Sequence, residues 1–416
     1  MEVKKQQLLV LLFSMFIFTL GFGIIIPVMP YYSKNLGATA FDLGLLMASY
    51  SLMQFLFAPS WGKLSDRIGR KPVLALGLLG FGVSFVIFGV SDSLWMLLAA
   101  RIFGGMMSAG IYPSSLAIIA DVTGPKDRGK AMGWMGAASG LGMIFGPAIS
   151  GVISVWGLSA PFFAAGGLAI LTMAISYAIL PESGKKMSSE NMNKKISLVS
   201  PLKTAVGIFF ILTLTISLVM ACFQGTIAYF SMDRFNLSDD VSYIPLMNGP
   251  DQGVNVSGPA VMAIICTVMG IFGVICQGFL VNKAIDRLGE EKTVMIGFII
   301  STISLVMTVT TFGLISLLAY SSLFSIGSGL VMPCLNSIIS GRTDQNRQGA
   351  IMGVLGSYNS LGRIIGPPVG GFIYDINMIL PYILSAVISA MGAAAVVRSI
   401  KKDGREKTTI QPEIRI

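Results

Sequence analysis

Gly142-Met143-Ile144-Phe145-Gly146-Pro147-Ala148-Ile149-Ser150-Gly151 and Gly362-Arg363-Ile364-Ile365-Gly366-Pro367-Pro368-Val369-Gly370-Gly371 are two versions of one segment, set 220 residues apart. The same offset carries Asp66-Arg67 to Asp286-Arg287, Pro113 to Pro333, Gly133 to Gly353 and Pro161 to Pro381. Most of the repeated positions are glycine and proline, which let membrane helices approach closely or bend. A long internal repeat in an apolar chain marks a transporter built from two related halves. Such folds place the substrate between the halves, near the bilayer midplane.

Composition agrees. The chain has 416 residues, of which 54% are hydrophobic and 12% charged, and soluble chains carry about 25% charge. Mean hydropathy is +0.77. Apolar runs over 8–31, 42–61, 72–90, 94–120, 130–155, 159–180, 204–232, 259–282, 293–311, 314–340, 349–372 and 377–398 read as membrane helices. They predict an all-α integral membrane protein with 12 transmembrane helices in two pseudo-symmetric six-helix bundles. The first bundle spans 1–180 and the second 204–398. The stretch 181–203 (Ser-, Gly-, Asn- and Lys-containing) reads as a cytoplasmic linker, and 399–416 as a cytoplasmic tail.

Orientation follows from Lys and Arg. Of 29, 25 fall in the termini and the loops on the N-terminal side of the membrane, only Lys34 and Arg234 on the other, and Arg101 and Arg363 within spans. That bias puts both termini in the cytoplasm. The net charge of +9 is then a topology marker that attracts anionic inner-leaflet lipid; spread over many loops, it argues against a nucleic-acid partner. Met1–Phe16 has the charge-then-apolar order of a signal peptide but no small-x-small cleavage site, so it is expected to be a retained first helix. Cys222, Cys266, Cys276 and Cys334 lie in apolar spans without metal-ligand spacing, and there is no histidine. No metal, cofactor or disulfide is expected. The repeat offset is only about 202 at the start of each half: Leu20–Gly23 fits Cys222–Gly225. An insert at about 238–258 makes up the difference, read as a solvated outer loop or as a lid.

The segment after the second helix reads Gly62-Lys63-Leu64-Ser65-Asp66-Arg67-Ile68-Gly69-Arg70-Lys71-Pro72. This resembles the cytoplasmic signature of the major facilitator superfamily, with a degenerate copy at Lys283–Gly289 followed by Glu290 and Glu291. The first helix segment Leu20–Pro30, the pattern Leu97-x-x-x-Arg101-x-x-Gly104-Gly105 and the segment Gly142–Gly151 resemble the family's 12-helix drug:proton antiporter branch. Gly142, Gly146, Pro147 and Gly151 match its antiporter motif, with Ser150 in place of one glycine. The resemblance implies a conformational latch of Asp66, Arg67, Gly69, Arg70 and Asp121 that holds the outward-open state. It also implies a role for Arg101 in proton coupling or substrate binding; the alternative is a structural arginine satisfied by backbone carbonyls.

The carboxylates are informative by absence. Thirteen of 20 lie in cytoplasmic segments, and Asp42, Asp92, Asp233, Asp239, Asp240, Asp251 and Asp375 at the outer edge; none is mid-span. Several family members carry Glu on the seventh helix where Gln224 stands here. Asp42 and Asp233 remain the titratable candidates for proton coupling. Candidate cavity residues are Gln54, Tyr112, Gln224, Asn336, Tyr358 and Arg363, with Tyr50, Tyr229 and Asn359. Two intramembrane arginines without a mid-span acid favour neutral, zwitterionic or anionic amphiphiles over cations. The expectation is a plasma-membrane exporter of small amphiphilic compounds, driven by protons and working as a monomer in lipid. A facilitator or metabolite exporter, and a sensor that has lost transport, are the alternatives. No P-loop, metal constellation or nucleophile–base pair suggests an enzyme.

Overall fold

The computed structural model describes residues 2–123, 127–180, 206–247, 252–343 and 348–410. The expected linker 181–203, Asp251 and the end of the tail lie outside them. The first half comprises α1 (Glu2–Asn35), α2 (Ala40–Ile68), α3 (Arg70–Gly89), α4 (Leu94–Ser108), α5 (Ile111–Val122), α6 (Arg128–Ile153) and α7 (Ala160–Ile179). The second comprises α8 (Gly207–Phe235), α9 (Gly258–Ile275), α10 (Val281–Leu288), α11 (Glu290–Val309), α12 (Leu314–Gly341), α13 (Gln348–Ile376) and α14 (Leu380–Ile410). Eleven helical spans among the described residues are long and apolar enough to cross a bilayer. The segment α13, with its Gly, Ser, Asn and Arg, is the twelfth long helix and packs between α8 and α2.

Several boundaries differ from the sequence expectation. The fourth span is two helices, α4 and α5, joined at Ala109–Gly110. The eighth is α9 and α10 joined by a π-helical turn over Cys276–Leu280, a form that widens the helix and frees side chains from its regular spacing. The expected basic loop at 62–72 is hardly a loop. Helix α2 runs to Ile68, Gly69 turns with φ 99°, and α3 begins at Arg70. The repeat does the same at Gly289, φ 82°, between α10 and α11. A φ of that sign suits glycine, which has no Cβ to clash. At the other end of the chain, α14 continues twelve residues past the expected limit of 398.

The insert is neither helix nor open loop. Strands β1 (Val241–Pro245) and β2 (Gly253–Ser257) pair antiparallel, with Val241 opposite Ser257. Ile244 is fully buried, and the Leu246 carbonyl accepts from Ile315 N–H at 3.1 Å, so the hairpin sits on the start of α12.

The repeat is visible in packing. Helix α1 lies along α6 and α8 along α13; α3 packs on α7 and α11 on α14. Gly23 abuts Pro147, and Gly225 abuts Pro367. Small residues at these crossings bring backbones into van der Waals contact, the main source of helix association where lipid removes the hydrophobic drive.

Candidate functional site

The two halves meet at one end of the bundle and part at the other. At the end carrying most of the described outer-edge acids, α2 and α13 touch backbone to backbone. Gly44 of α2 lies so near the backbone of Pro367 and Pro368 that a methyl group there would collide, and Gly371 stands equally close to Ala40 and Phe41. The Asp375 carboxylate accepts from the N–H groups of Ala40 and Phe41, both at 3.1 Å. The remaining first-turn donors are met locally: Thr39 Oγ1 accepts from Asp42 N–H at 3.2 Å, and Asp42 accepts from Thr39 N–H at 2.9 Å. A helix N-terminus offers unpaired N–H groups and a positive dipole end. Here one half supplies the helix and the other supplies half of its cap.

Three further polar links join the halves at this end. Lys34 pairs with Asp233 at 3.3 Å, Asn35 donates to Asp239 at 2.9 Å, and Tyr229 donates to the Ala38 carbonyl at 2.8 Å. Tyr374 holds Asp233 in place with a 2.7 Å hydrogen bond. Toward the opposite, basic end, Gly129, Gly133, Gly136 and Gly140 of α6 and Gly353 and Gly356 of α13 have nothing within 4 Å of where a Cβ would stand. Among the described residues every hydrogen bond and ion pair between the halves lies at the acidic end, and none bridges them at the basic end.

Within the first half a polar cluster is built on α2 and α4. Gly105 meets the Tyr50 backbone and Gly104 meets Ser84, so α4 lies close against α2 and α3. That approach buries Arg101 to 7% exposure. Its Nε donates to the Leu46 carbonyl at 3.1 Å, and its guanidinium lies 4.3 Å from the centre of the Tyr50 ring. Tyr50 in turn shares a 2.5 Å hydrogen bond with Ser108, and Gln54 donates to both oxygens at 3.4 and 3.3 Å. The arginine borders a small pocket of ≈ 10 Å³ with Ile25, Ser84, Phe85 and Phe88, about the space of one water.

Two helical halves related by a repeat and joined through polar links at one end make a transporter architecture, and the sequence comparisons name it. The Major Facilitator Superfamily model matches residues 11–283 and 257–415. The chain belongs to the major facilitator superfamily. It is 29% identical to Multidrug resistance protein 2 of Bacillus subtilis (strain 168) over 396 residues, 94% of either chain. It is 30% identical to Quinolone resistance protein NorA of Staphylococcus aureus (strain MSSA476), covering 97% of this chain and 98% of that one. Its fold is similar to that of a bacterial homolog of the human lysosomal transporter Spinster (TM-score 0.75, 16% identity, 95% of this chain and 96% of that one). The protein is a multi-pass membrane transporter and not an enzyme.

The superfamily's expected latch is partly assembled. Arg70 forms an ion pair with Asp121 and donates to the Ala117 carbonyl at 2.6 Å. Asp66 and Arg67 are exposed and, among the described residues, form no ion pair. The antiporter-motif residues line a helix crossing: Gly142 and Gly146 lie on α1, Pro147 on Gly23, and Gly151 on Ala263 of α9. Of the proton-coupling candidates, Arg101 lies in the cluster above, while Asp42 serves a capping box and Asp233 an ion pair between halves.

The expected cavity residues scatter. Gln54 belongs to the Arg101 cluster. Tyr358 is buried, its ring 5.4 Å from that of Phe210, and so packs inside the second half instead of lining the space between halves. Asn359 accepts from Ser217 at 3.3 Å. Tyr112 is 52% exposed at the start of α5. Gln224, beside the Gly225–Pro367 contact, and Asn336 on α12 are half-buried, and Arg363 is exposed. The sequence reading missed Asp375 as a cap and Gly44 as a contact point. Neither has a local signal, because each acts through the other half of the chain.

Proposed function

We propose that the protein exports small amphiphilic compounds across the plasma membrane by alternating access, as the names of its multidrug- and quinolone-resistance relatives suggest. The positive-inside bias puts the basic end in the cytoplasm. On that orientation the described conformation is inward-open, sealed outside by the α2–α13 contact, and this seal is the observation that carries the reading. Rocking of one half against the other would open the outer end and close the inner one.

Protons are the expected driving ion, and the geometry constrains where they bind. An exporter that exchanges substrate for protons carries its proton inward. The carrier must therefore favour the inward-open state when protonated. Asp233 and Asp375 do the reverse. Their charged forms hold the inward-open seal through Lys34 and the α2 N-terminus, so protonation loosens it. These acids set the outer gate. Asp42, caught in its capping box, has the same disadvantage. This favours a second reading, in which the substrate gradient alone drives flux.

Proteoliposomes distinguish the two. Dye and drug efflux is measured with and without an imposed pH gradient in wild type, Asp42→Asn, Asp233→Asn and Arg101→Ala. Gradient-driven efflux abolished by Arg101→Ala but retained in both Asp→Asn variants supports proton exchange organised around the Arg101 cluster. Efflux indifferent to the gradient establishes the facilitator, and no flux under any condition defeats the export reading.

A further inference from the structure

We propose that Arg363 is the anchor for an anionic head group, a carboxylate or sulfonate, on an amphiphilic substrate held at the closed end of the cavity. The inference rests on the export reading for its physiological meaning, but not for its chemistry.

The faces of α13 divide among its neighbours. Gly362, Gly366 and Gly370 lie against α8, at Ser217, Leu218, Ala221 and Cys222. Pro367, Pro368 and Gly371 lie against α2. Ile365, Val369, Phe372 and Ile376 recur at helical spacing and are all exposed, an apolar stripe suited to lipid. Gly356, Arg363 and Pro367 stand at i, i+7 and i+11, a single line on roughly the opposite side of the helix from that stripe. Its upper member, Pro367, plugs the seal against Gly44 and Gly225, and its lower member, Gly356, faces open space. Arg363 is thus exposed to the gap between halves, one helical turn below the seal.

Its charge has no answer there. Among the described residues Arg363 makes no hydrogen bond, ion pair or ring contact. The nearest acid along its own helix is Asp375, about 18 Å away at ~1.5 Å per residue and already engaged with α2. An arginine within a membrane protein without a counter-charge is costly unless a ligand supplies one. Guanidinium pairs with planar oxyanions through two parallel hydrogen bonds. The repeat underlines the asymmetry: the equivalent position on α6 is Met143, exposed to 38%. One wall offers an apolar, adaptable surface and the other a cation, the complement of an amphiphilic anion.

The test uses full-length protein in nanodiscs of zwitterionic lipid and three matched probes: 9-anthroate, its methyl ester, and 9-anthracenylmethyl-trimethylammonium. Binding is read by fluorescence anisotropy. Wild type is expected to bind the anion at least tenfold more tightly than the ester. Arg363→Met brings the anion to the level of the ester and leaves the ester unchanged, while Arg363→Lys retains an intermediate preference. The proposal is overturned if wild type favours the cation or shows no preference for the anion, or if Arg363→Met keeps the anion affinity. Should Arg363→Met lose the ester too, Arg363→Gln decides by the same criterion. Intact anion preference without flux in proteoliposomes would sink the export reading and leave this site standing.

Discussion

Arg101 is held by the Tyr50 ring and the Leu46 backbone carbonyl, and the ring and hydroxyl of Tyr50 can be removed separately. Tyr50→Phe keeps the ring beneath the guanidinium and loses the bond to Ser108, a cost of about 0.5–1.5 kcal/mol. Tyr50→Leu removes the ring and should cost about 2 kcal/mol or more, the value of a desolvated cation–π contact. Thermal unfolding in detergent should rank wild type, Tyr50→Phe and Tyr50→Leu in that order, with transport surviving only in the first two. Gly105→Val is expected to be worse than Gly104→Ser in the same assay. A side chain at 105 drives into the Tyr50 carbonyl, which cannot move, whereas the nearest atom at 104 is a serine hydroxyl. The sequence made Arg101 legible because a charge inside an apolar run is conspicuous. Its partners were not, since Leu46 contributes a backbone oxygen and Tyr50 sits 51 residues earlier in an ordinary-looking helix.

At the level of elements, the start of α2 is where the two halves are tied together. Its first turn takes two hydrogen bonds from its own capping box and two from Asp375 of the other half. Asp375→Asn removes a full charge from a helix N-terminus, worth about 0.3–1 kcal/mol where exposed, so the ratio of sealed to open molecules should fall up to roughly fivefold. Spin labels on the outer ends of α2 and α13 would register this as a longer-distance population, and an unchanged distribution would show that backbone contact alone holds the seal. Thr39→Ala weakens the same helix start from within its own half and should add to the Asp375 effect. The twelve spans were readable from apolar runs, but the capping box of Thr39 and Asp42, which starts α2 two residues before its apolar run, was not. The α4–α5 break, the π turn and the hairpin were not readable. Each depends on what the neighbouring helix presents, not on the local pattern.

At the level of the whole molecule, the glycines divide into two sets. Those near Pro367 are in contact now. Gly133 and Gly136 on α6, with their repeat mates Gly353 and Gly356 on α13, face open space at the basic end. If closing that end brings α6 and α13 against the opposite half, the second set becomes the contact set. Gly133→Val and Gly353→Val should then leave folding and the described conformation intact while cutting turnover at least tenfold, whereas Gly44→Val should destroy the described state. Distance measurements across both ends, with transport assayed alongside, would check both halves of the statement. The repeat let the sequence place both sets on equivalent helices, but only contact geometry says which is engaged. The same asymmetry has a consequence for where the protein works. Lys34 and Asp233, which help to hold the outer end shut, are each more than two-fifths exposed, and ionic attraction at such sites fades as the Debye length shrinks from about 10 Å at 0.1 M to about 3 Å at 1 M salt. On the proposed orientation, salt in the external medium is therefore expected to slacken this one bolt by up to about 1 kcal/mol, while the frame of the door, Gly44 against Pro367, stays as it is.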